Sequence, residues 1–236
     1  GMATLAEILF DLGHEVSGYD DYKEHKFTQE GLDKRGIKIY YDSTHDIPKD
    51  TIVTYSKAFS ADHPEIKRVK SLGLKIIAYN ELLGKLSSEF KTIGVSGTHG
   101  KTTTSTMISH VLGETKGCNY FIGDGSGFAD RKNELFTLES CEFNRHFLAY
   151  HPYYAIVTNI ELEHTECYKD IDEIIKTFEE FANKAHYVIA CGDDKNVRKM
   201  NLKNDVTYYR FDDNNDVVCK IVILDENGSK FHDNIK

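Results

Sequence analysis

Proline, long apolar runs and an excess of positive charge are all lacking in this chain of 236 residues. It has only 3 prolines and 17 glycines, which excludes collagen-like and Pro/Gly-rich low-complexity proteins. Its longest apolar runs, such as 153–160, are far shorter than the roughly 18 to 20 residues of a membrane-spanning helix. With 29 Lys and Arg against 38 Asp and Glu, the formal net charge is −9. A general nucleic-acid binder needs clustered positive charge, so we expect neither nucleic acid nor a membrane as a partner.

The cysteines also lack the pattern of a covalent framework. They are odd in number, widely spaced and without a Cys-x-x-Cys pair: Cys118, Cys141, Cys167, Cys191 and Cys219. Secreted disulfide-rich domains carry even numbers of cysteine in a recognisable pattern, so these thiols are expected to be free. No basic and apolar leader opens the chain. The sequence therefore predicts a cytoplasmic protein.

What the chain does have is an alternation of short apolar runs and helical patterns, with 40% hydrophobic residues to build a core. This alternation predicts an α/β fold with two doubly wound parallel-sheet domains. A composition break at 87–91 places the boundary, giving a Rossmann-like domain at 1–88 and a second domain at 89–236. In the first domain we expect a helix at the start, strands at 16–20, 37–41, 51–56 and 75–78, and helices at 27–35, 64–72 and 81–90.

The second domain repeats the alternation. We expect strands at 92–95, 135–139, 155–159 and 187–191, helices at 101–112 and 171–182, and a hairpin formed by 217–224 and 229–235.

The most informative segment is a glycine-containing turn between the strand at 92–95 and the helix at 101–112. Glycines there let backbone N–H groups surround phosphate oxygens, and the helix N-terminus adds its partial positive charge. Lys101 is expected to reach the outer phosphates and Thr102 to bind Mg²⁺. One position departs from the strict pattern, because Val95 stands where the first glycine is usual. The predicted nucleotide-binding residues are Gly97, Thr98, His99, Gly100, Lys101, Thr102 and Thr103.

Two further polar groups follow apolar strands, where α/β sheets place their chemistry. Glu139 ends one strand, and His164 comes shortly after another. Carboxylate oxygens suit Mg²⁺, which proteins usually hold through one or two carboxylates and substrate phosphates. A zinc site is an alternative, but its candidates have no recognisable spacing: Cys141, His146, His164 and Cys167.

These segments resemble the Mur ligase family, and within it the UDP-N-acetylmuramate–L-alanine ligases. The loop at 97–103, Gly-Thr-His-Gly-Lys-Thr-Thr, looks like their ATP loop, including its histidine. Residues 139–148 resemble the Glu-Ala-Cys-Glu-Tyr-Arg-Arg-His-Phe-Leu segment of the Gram-positive enzymes. Residues 158–164 are similar to Thr-Asn-Ile-Glu-x-Asp-His, with Glu163 in place of the aspartate. The similarity runs along essentially the whole chain, with the motifs in the same order.

The resemblance implies an ATP-dependent ligase of peptidoglycan synthesis. The γ-phosphoryl group of ATP would pass to the lactyl carboxylate of UDP-N-acetylmuramate, and the amine of L-alanine would attack the acyl phosphate. It also implies that Lys101 and Thr102 hold the triphosphate and a first Mg²⁺, and that Glu139 and His164 hold a second Mg²⁺. Lys101, Glu139 and His164 would be the catalytic residues. Arg145 and His146 are implied to contact the acyl phosphate or the sugar, with capping of a strand as the alternative.

The first domain resembles the family's UDP-binding domain. Asp20 lies 19 positions after Gly1, where a Rossmann-like fold places a ribose-binding acid, although it is equally an ordinary turn residue. His45 and Ser56 are weaker substrate candidates. Gly1-Met2 resembles only the end of the family's Gly-x-Gly-x-x-Gly-Met loop, and the amino-acid-binding domain would lie beyond Lys236. We therefore expect this chain not to turn over by itself.

Three other functions stay open from the sequence. A related ligase attaches a murein tripeptide to UDP-N-acetylmuramate and shares the Thr-His-Gly-Lys-Thr loop. A nucleotide-binding module without catalysis has no need of Glu139 or His164. A P-loop kinase of a small molecule would phosphorylate a hydroxyl group and show no dependence on an amine.

Overall fold

The computed structural model describes residues 1–23, 29–56, 59–225 and 228–235, with side chains as far as residue 220. The described helices are α1 (Met2–Asp11), α2 (Gln29–Lys34), α3 (Pro64–Ser71), α4 (Tyr79–Ser88), α5 (Lys101–Thr115) and α6 (Ile171–Ala182), with 3-10 helices at Phe143–Ala149 and Val197–Lys199. The strands are β1 (Ser17–Tyr19), β2 (Lys38–Tyr40), β3 (Ile52–Val53), β4 (Lys75–Ile76), β5 (Lys91–Ser96), β6 (Cys118–Phe121), β7 (Gly127–Phe128), β8 (Leu135–Glu139), β9 (Tyr154–Val157), β10 (Tyr187–Cys191), β11 (Asp205–Arg210), β12 (Val217–Asp225) and β13 (Gly228–Ile235).

The N-terminal part, residues 1–88, has short parallel strands. β1 pairs with β2 and β3 pairs with β4, each in a separate two-stranded sheet of the described residues. Every one of these strands is shorter than the sequence predicts; the segment 51–56, for example, contributes only Ile52–Val53. The helix predicted at 27–35 is present as α2, and its first two positions lie outside the described residues. The parallel pairing agrees with the predicted fold class, although the single expected sheet is divided in two.

The second part is organised around one nine-stranded sheet in the order β13-β12-β11-β10-β9-β5-β8-β6-β7. Neighbouring strands are parallel except at the two edges, where β7 and β13 run antiparallel to their partners. This parallel-dominated sheet with helices confirms the α/β prediction. Three of its strands, β6, β7 and β11, were not predicted from the sequence.

The main hydrophobic core lies on one face of this sheet and draws on both parts of the chain. α6 contributes Phe178 and Phe181, which are fully buried against the aromatic ring of Phe147. α1 contributes Leu5 and Ile8 to the same cluster, each only 1% exposed. The close approach of α1 to β7 requires a glycine, because a Cβ atom at Gly127 would overlap the methyl group of Thr4. The N-terminal helix is therefore part of the core of the second part.

The opposite face is covered by α5, which packs its Ile108 and Leu112 against the strand residues Val95 and Ile156. Since β5 is an inner strand of the sheet, the start of α5 lies at the carboxyl end of an inner strand. Since β8 and β9 are the two neighbours of β5, the carboxyl ends of these three parallel strands meet around the start of α5. In the part of the chain that the structure describes, no helix has the length and apolar character needed to cross a membrane.

Candidate phosphate-binding site

The turn between β5 and α5 has a backbone that only glycine adopts without strain. Gly97 has φ 144° and Gly100 has φ 81°, values that side chains with a Cβ atom rarely take. Gly97 is also tightly enclosed, since a Cβ atom there would overlap the hydroxyl group of Thr158. Gly100 is the N-cap of α5 and offers no side-chain hydrogen bond. No side chain of the cap therefore occupies the first N–H groups of α5, which are able to face an anion.

The end of β9 holds this turn in place through hydrogen bonds. The Thr98 N–H donates to the Asn159 carbonyl at 3.0 Å. The side-chain oxygen of Asn159 accepts a hydrogen bond from the His99 N–H at 2.8 Å, and its side-chain NH₂ group donates to the His99 carbonyl at 2.9 Å. The hydroxyl of Thr158 also donates to that carbonyl, at 2.7 Å. The Thr-Asn pair after β9 thus acts on the shape of the loop, a role that its sequence motif did not show.

Lys101 lies at the first position of α5, and its ammonium group turns back into the loop. Its Nζ donates to the Gly97 carbonyl at 2.6 Å and to the Thr98 carbonyl at 3.1 Å. The same Nζ is 3.0 Å from Glu142 Oε2 and 3.2 Å from Oε1. Only 14% of the Lys101 side chain is exposed, against 3% for Glu142. The loop therefore carries a positive charge held by backbone carbonyls and a buried carboxylate.

Thr102, in the first turn of α5, and Glu139, at the end of β8, meet beside the lysine. The Thr102 hydroxyl donates to Glu139 Oε1 at 3.1 Å, and Glu139 Oε2 accepts the Gly123 N–H at 2.8 Å. Both side-chain oxygens are hard ligands, and they are close enough to bind the same ion.

His164 lies on the other side of Glu142, in a left-handed backbone conformation with φ 53°. Its Nε2 is 3.7 Å from Glu142 Oε1, and its ring packs edge-on against Phe143 with centroids 5.0 Å apart. Among the described residues, Glu142, Glu163 and His164 are the single group of three metal-type ligands, with their ligand atoms all within 4.8 Å of one another. The carboxylate grouped with His164 is thus Glu142, whereas Glu139 contacts Thr102. The predicted sharing of one ion by Glu139 and His164 stays a prediction.

The four zinc candidates do not form such a group in the described part of the chain. All five cysteines are free thiols, as expected.

Desolvation by the surrounding atoms raises the pKa of the Cys141 thiol. Desolvation and the nearby Glu142 charge raise the pKa of Tyr168 as well, and its hydroxyl donates to the Glu142 carbonyl at 2.6 Å.

The remaining predicted residues of this region lie around the loop. His99 is more than half exposed, with Nε2 3.6 Å from a carboxylate oxygen of both Glu161 and Glu163. Thr103 is exposed in the first turn of α5. Arg145 has φ 58° and pairs with Glu173, and its guanidinium lies 5.4 Å from the Tyr168 ring. His146 is half-buried in the adjacent 3-10 helix. Binding roles for these residues stay predictions.

The three substrate candidates of the N-terminal part have structural contacts of their own. Asp20 accepts the Tyr22 N–H at 2.9 Å, as a turn residue does. His45 stacks on Tyr40 with ring centroids 4.0 Å apart, and its side chain is only 9% exposed. Ser56 accepts the Phe59 N–H through its carbonyl. These contacts account for each residue locally and leave their substrate roles untested.

A cleft of about 410 Å³ adjoins the loop. One wall is formed by the loop and the end of β9, and the other by the end of β11 with the residues after it. Its lining includes His99, Gly100, Thr158, Asn159, Tyr209 and Phe211. The cleft is open to solvent, and because His99 and Gly100 belong to its lining it is continuous with the loop.

The strand, glycine turn and helix N-terminus place the chain in the class of α/β proteins with a phosphate loop. Comparison with known families is more specific. A model described as Mur ligase family, catalytic domain, matches residues 1–91, and one described as Mur ligase middle domain matches residues 95–235. The chain belongs to the Mur ligase family.

Solved structures share this fold at low sequence identity. UDP-N-acetylmuramate:L-alanyl-gamma-D-glutamyl-meso-diaminopimelate ligase from Neisseria meningitides is 21% identical, with a TM-score of 0.79 over 99% of this chain and 80% of that one. UDP-N-acetylmuramate-alanine ligase MurC from Thermotoga maritima is 24% identical, with a TM-score of 0.74 over 93% and 52%. MurF ligase from Thermotoga maritima, in complex with ADP, is 16% identical, with a TM-score of 0.60 over 82% and 55%. The chain thus spans about half the length of the latter two.

Proposed function

We propose that the protein is an ATP-dependent ligase of peptidoglycan synthesis that joins L-alanine to the lactyl carboxylate of UDP-N-acetylmuramate through an acyl phosphate. The observation that carries the proposal is the loop at 97–102, in which a lysine ammonium and uncapped helix N–H groups converge. Membership of the Mur ligase family supports the reaction class. The choice of L-alanine rests on the resemblance of residues 139–148 to the alanine-adding enzymes.

In this proposal the cleft beside His99 takes the nucleoside of ATP, and the loop takes its phosphates. Lys101 offsets the negative charge that develops as the γ-phosphoryl group leaves ADP. The N-terminus of α5 orients the γ-phosphoryl group. The transfer forms a bond from phosphorus to a carboxylate oxygen and breaks the bond to ADP. The amine nitrogen then attacks the acyl carbon, loses a proton and expels inorganic phosphate. Phosphorylation supplies the leaving group that a free carboxylate lacks.

The residues present fit a divalent cation, because two of the proposed oxygen ligands, the Thr102 hydroxyl and Glu139 Oε1, lie 3.1 Å apart and are able to bind one ion. We propose that Thr102 and Glu139 hold one Mg²⁺ and that Glu139 and His164 hold the second. Mg²⁺ supplies charge stabilisation for the transferred phosphoryl group. Arg145 and His146 are proposed to contact the acyl phosphate or the sugar.

In the N-terminal part, Asp20, His45 and Ser56 are proposed to contact the UDP portion of the substrate. We take residues 1–88 as the UDP-binding domain and residues 89–236 as the ATP-binding domain, and we place the protein in the cytoplasm.

Thermal unfolding with and without Mg²⁺ and a non-hydrolysable ATP analogue tests the nucleotide site. At 100 times the dissociation constant, binding stabilises the folded state by about 2.7 kcal/mol. We expect this shift for the wild type and its loss in Lys101→Ala. Lys132→Ala, which removes a lysine outside the loop, is the matched control and keeps the shift. An equal shift in Lys101→Ala contradicts the proposed role of the loop.

Assays of the whole natural protein identify the reaction and the amine. We expect ADP release that requires both UDP-N-acetylmuramate and L-alanine. The second candidate, attachment of a murein tripeptide, is supported by the shared loop sequence and the fold shared with the Neisseria ligase. It predicts dependence on the tripeptide instead. ADP release that needs a hydroxyl substrate and no amine would identify a kinase.

A further inference from the structure

Glu142 is a buried carboxylate that contacts two residues of the candidate site at once. Its Oε1 lies 3.2 Å from Lys101 Nζ and 3.7 Å from His164 Nε2. Its Oε2 is 3.0 Å from the same ammonium but forms no hydrogen bond. The proposed reaction gives Glu142 no part, although its position between Lys101 and His164 links the two sides of the site.

The ammonium group of Lys101 has three protons to donate. In this structure it has three partners, the carbonyls of Gly97 and Thr98 and the Glu142 carboxylate. A phosphate oxygen that binds Nζ must therefore replace one of them. The carbonyls belong to the loop and are neutral, whereas Glu142 is an anion that competes with phosphate for the same charge-assisted bond.

When Lys101 turns away, the Glu142 carboxylate loses its cationic partner at a place where only 3% of the side chain is exposed. An unpaired buried charge is strongly unfavourable. The groups within reach are His164 and a second carboxylate, Glu163, with all ligand atoms within 4.8 Å. Two adjacent carboxylates repel each other, so a divalent cation is the partner that satisfies both. Phosphate at Lys101 and a cation at Glu142 would then favour each other's binding.

We propose that Glu142 is a positioning residue that exchanges Lys101 for a divalent cation when nucleotide phosphates bind, which makes the site select nucleotide together with its cation. This inference rests on the proposed function, because it requires that Lys101 binds nucleotide phosphate. It concerns the charge partner of Lys101 rather than the metal contacts of Glu139.

Calorimetric titration with ADP, in EDTA and in excess Mg²⁺, tests the exchange. Glu142→Gln removes the competing charge, so we expect it to bind ADP in EDTA about tenfold more tightly than the wild type, or about 1.4 kcal/mol. Its gain in affinity on adding Mg²⁺ should shrink by a similar factor. Glu166→Gln is the matched control, because Glu166 lies 3.5 Å from the same histidine but is 63% exposed. We expect it to behave as the wild type.

The same titrations on Glu163→Gln separate competition for Lys101 from a general effect of charge. Glu163 lies in the same cluster as Glu142 but pairs with His99, so its variant should bind ADP in EDTA as the wild type does. An equal gain in Glu163→Gln, or a Glu142→Gln protein that binds ADP in EDTA no better than the wild type, overturns the proposal. If Glu142→Gln does not fold, Glu142→Asp replaces it, with a smaller gain of the same sign expected.

The outcomes also distinguish this inference from the proposed function. A wild-type protein that does not bind ADP even with Mg²⁺ contradicts both. A wild-type protein that binds ADP with Mg²⁺, while Glu142→Gln leaves the Mg²⁺ dependence unchanged, contradicts the role of Glu142 alone.

Discussion

The N-terminal part and the nine-stranded sheet both carry polar side chains after parallel strands, with different results. In the N-terminal part these side chains mainly contact one another: His63 lies 3.1 Å from Asp21, and His45 stacks on Tyr40. After β5, β8 and β9, the corresponding residues surround a loop whose helix N-terminus has no side-chain cap. The difference follows from the helix that comes next. The helix α3, which follows β3, begins with a side-chain cap, because His63 accepts the Glu65 N–H at 3.2 Å, so its N-terminus is already occupied.

The largest difference between the two parts is expected in their cores. Leu138 in β8 is fully buried in the main cluster, and Leu32 in α2 is 6% exposed outside it. Leu138→Ala should lower the free energy of unfolding by about 2 to 5 kcal/mol, because the sheet cannot close around the cavity. Leu32→Ala should cost less. Denaturant unfolding of both variants measures the difference, and equal losses would mean that the two cores are equally rigid.

Glycines with positive φ provide the next contrast. Gly36 has φ 68° and open space where a Cβ atom would lie. Gly36→Ala should therefore lower the free energy of unfolding only by the cost of a left-handed backbone at alanine, about 1 to 2 kcal/mol. Gly97→Ala adds the overlap with Thr158 and should cost more than Gly36→Ala. It should also abolish the stabilisation by nucleotide, which Gly36→Ala leaves intact. A Gly97→Ala protein that keeps both stability and nucleotide binding would contradict the proposed loop.

Helix caps also differ between α6 of the second part and α4 of the N-terminal part. α6 begins after Asp170, whose carboxylate accepts the Glu173 N–H at 2.9 Å, whereas α4 begins after Ala78 with no side-chain cap. Asp170→Ala removes this cap and should lower the free energy of unfolding by about 0.5 to 2 kcal/mol. Ala78→Asp should add a cap at an exposed, extended residue and raise the melting temperature. If both substitutions leave thermal unfolding unchanged, capping does not limit stability in either part.

The smallest effect concerns two aspartates with lowered pKa values. Desolvation alone would raise the pKa of Asp193, but hydrogen bonds from Asn215 and from backbone N–H groups lower it below its ordinary 3.8. Asp193 therefore adds stability above pH 3.8, and this stability is lost as the pH falls through its lower folded-state pKa. The stability gap between wild type and Asp193→Asn should close in that range. Asp42, whose pKa is lowered by Thr44 at a fully exposed site, should show a smaller gap in Asp42→Asn.

Elements with strong periodicity could be predicted from the sequence. α6 and β10 have the predicted bounds, 171–182 and 187–191, because apolar residues recur clearly in both. β6 was missed because its polar Asn119 is buried and bound to the Asp130 N–H, which breaks the apolar pattern. β7 has only two residues, and in β11 exposed and half-buried positions alternate at low hydrophobicity. Family membership, inferred from motifs, is confirmed.

The candidate site was predictable only in part. The loop and Glu139 could be located because strand ends and glycine turns are visible in the sequence. Glu142 lies within a segment that the resemblance covers, yet nothing local indicates that its carboxylate is buried against Lys101. That contact joins residues 41 positions apart and depends on the pairing of β5 with β8. Contacts of this kind arise from the assembled sheet.

The packing of α1 into the main core has a consequence for recombining this protein with its relatives. The break in composition near residue 88 suggests a place to exchange modules. Yet Leu5, Ile8 and Leu12 are inserted into the same cluster as Phe121 and Ala129. A chimaera joined at that point would bring together two surfaces that had not evolved to fit. We infer that α1 and the edge of the sheet around β7 must be inherited as a pair, however the rest of the N-terminal part varies.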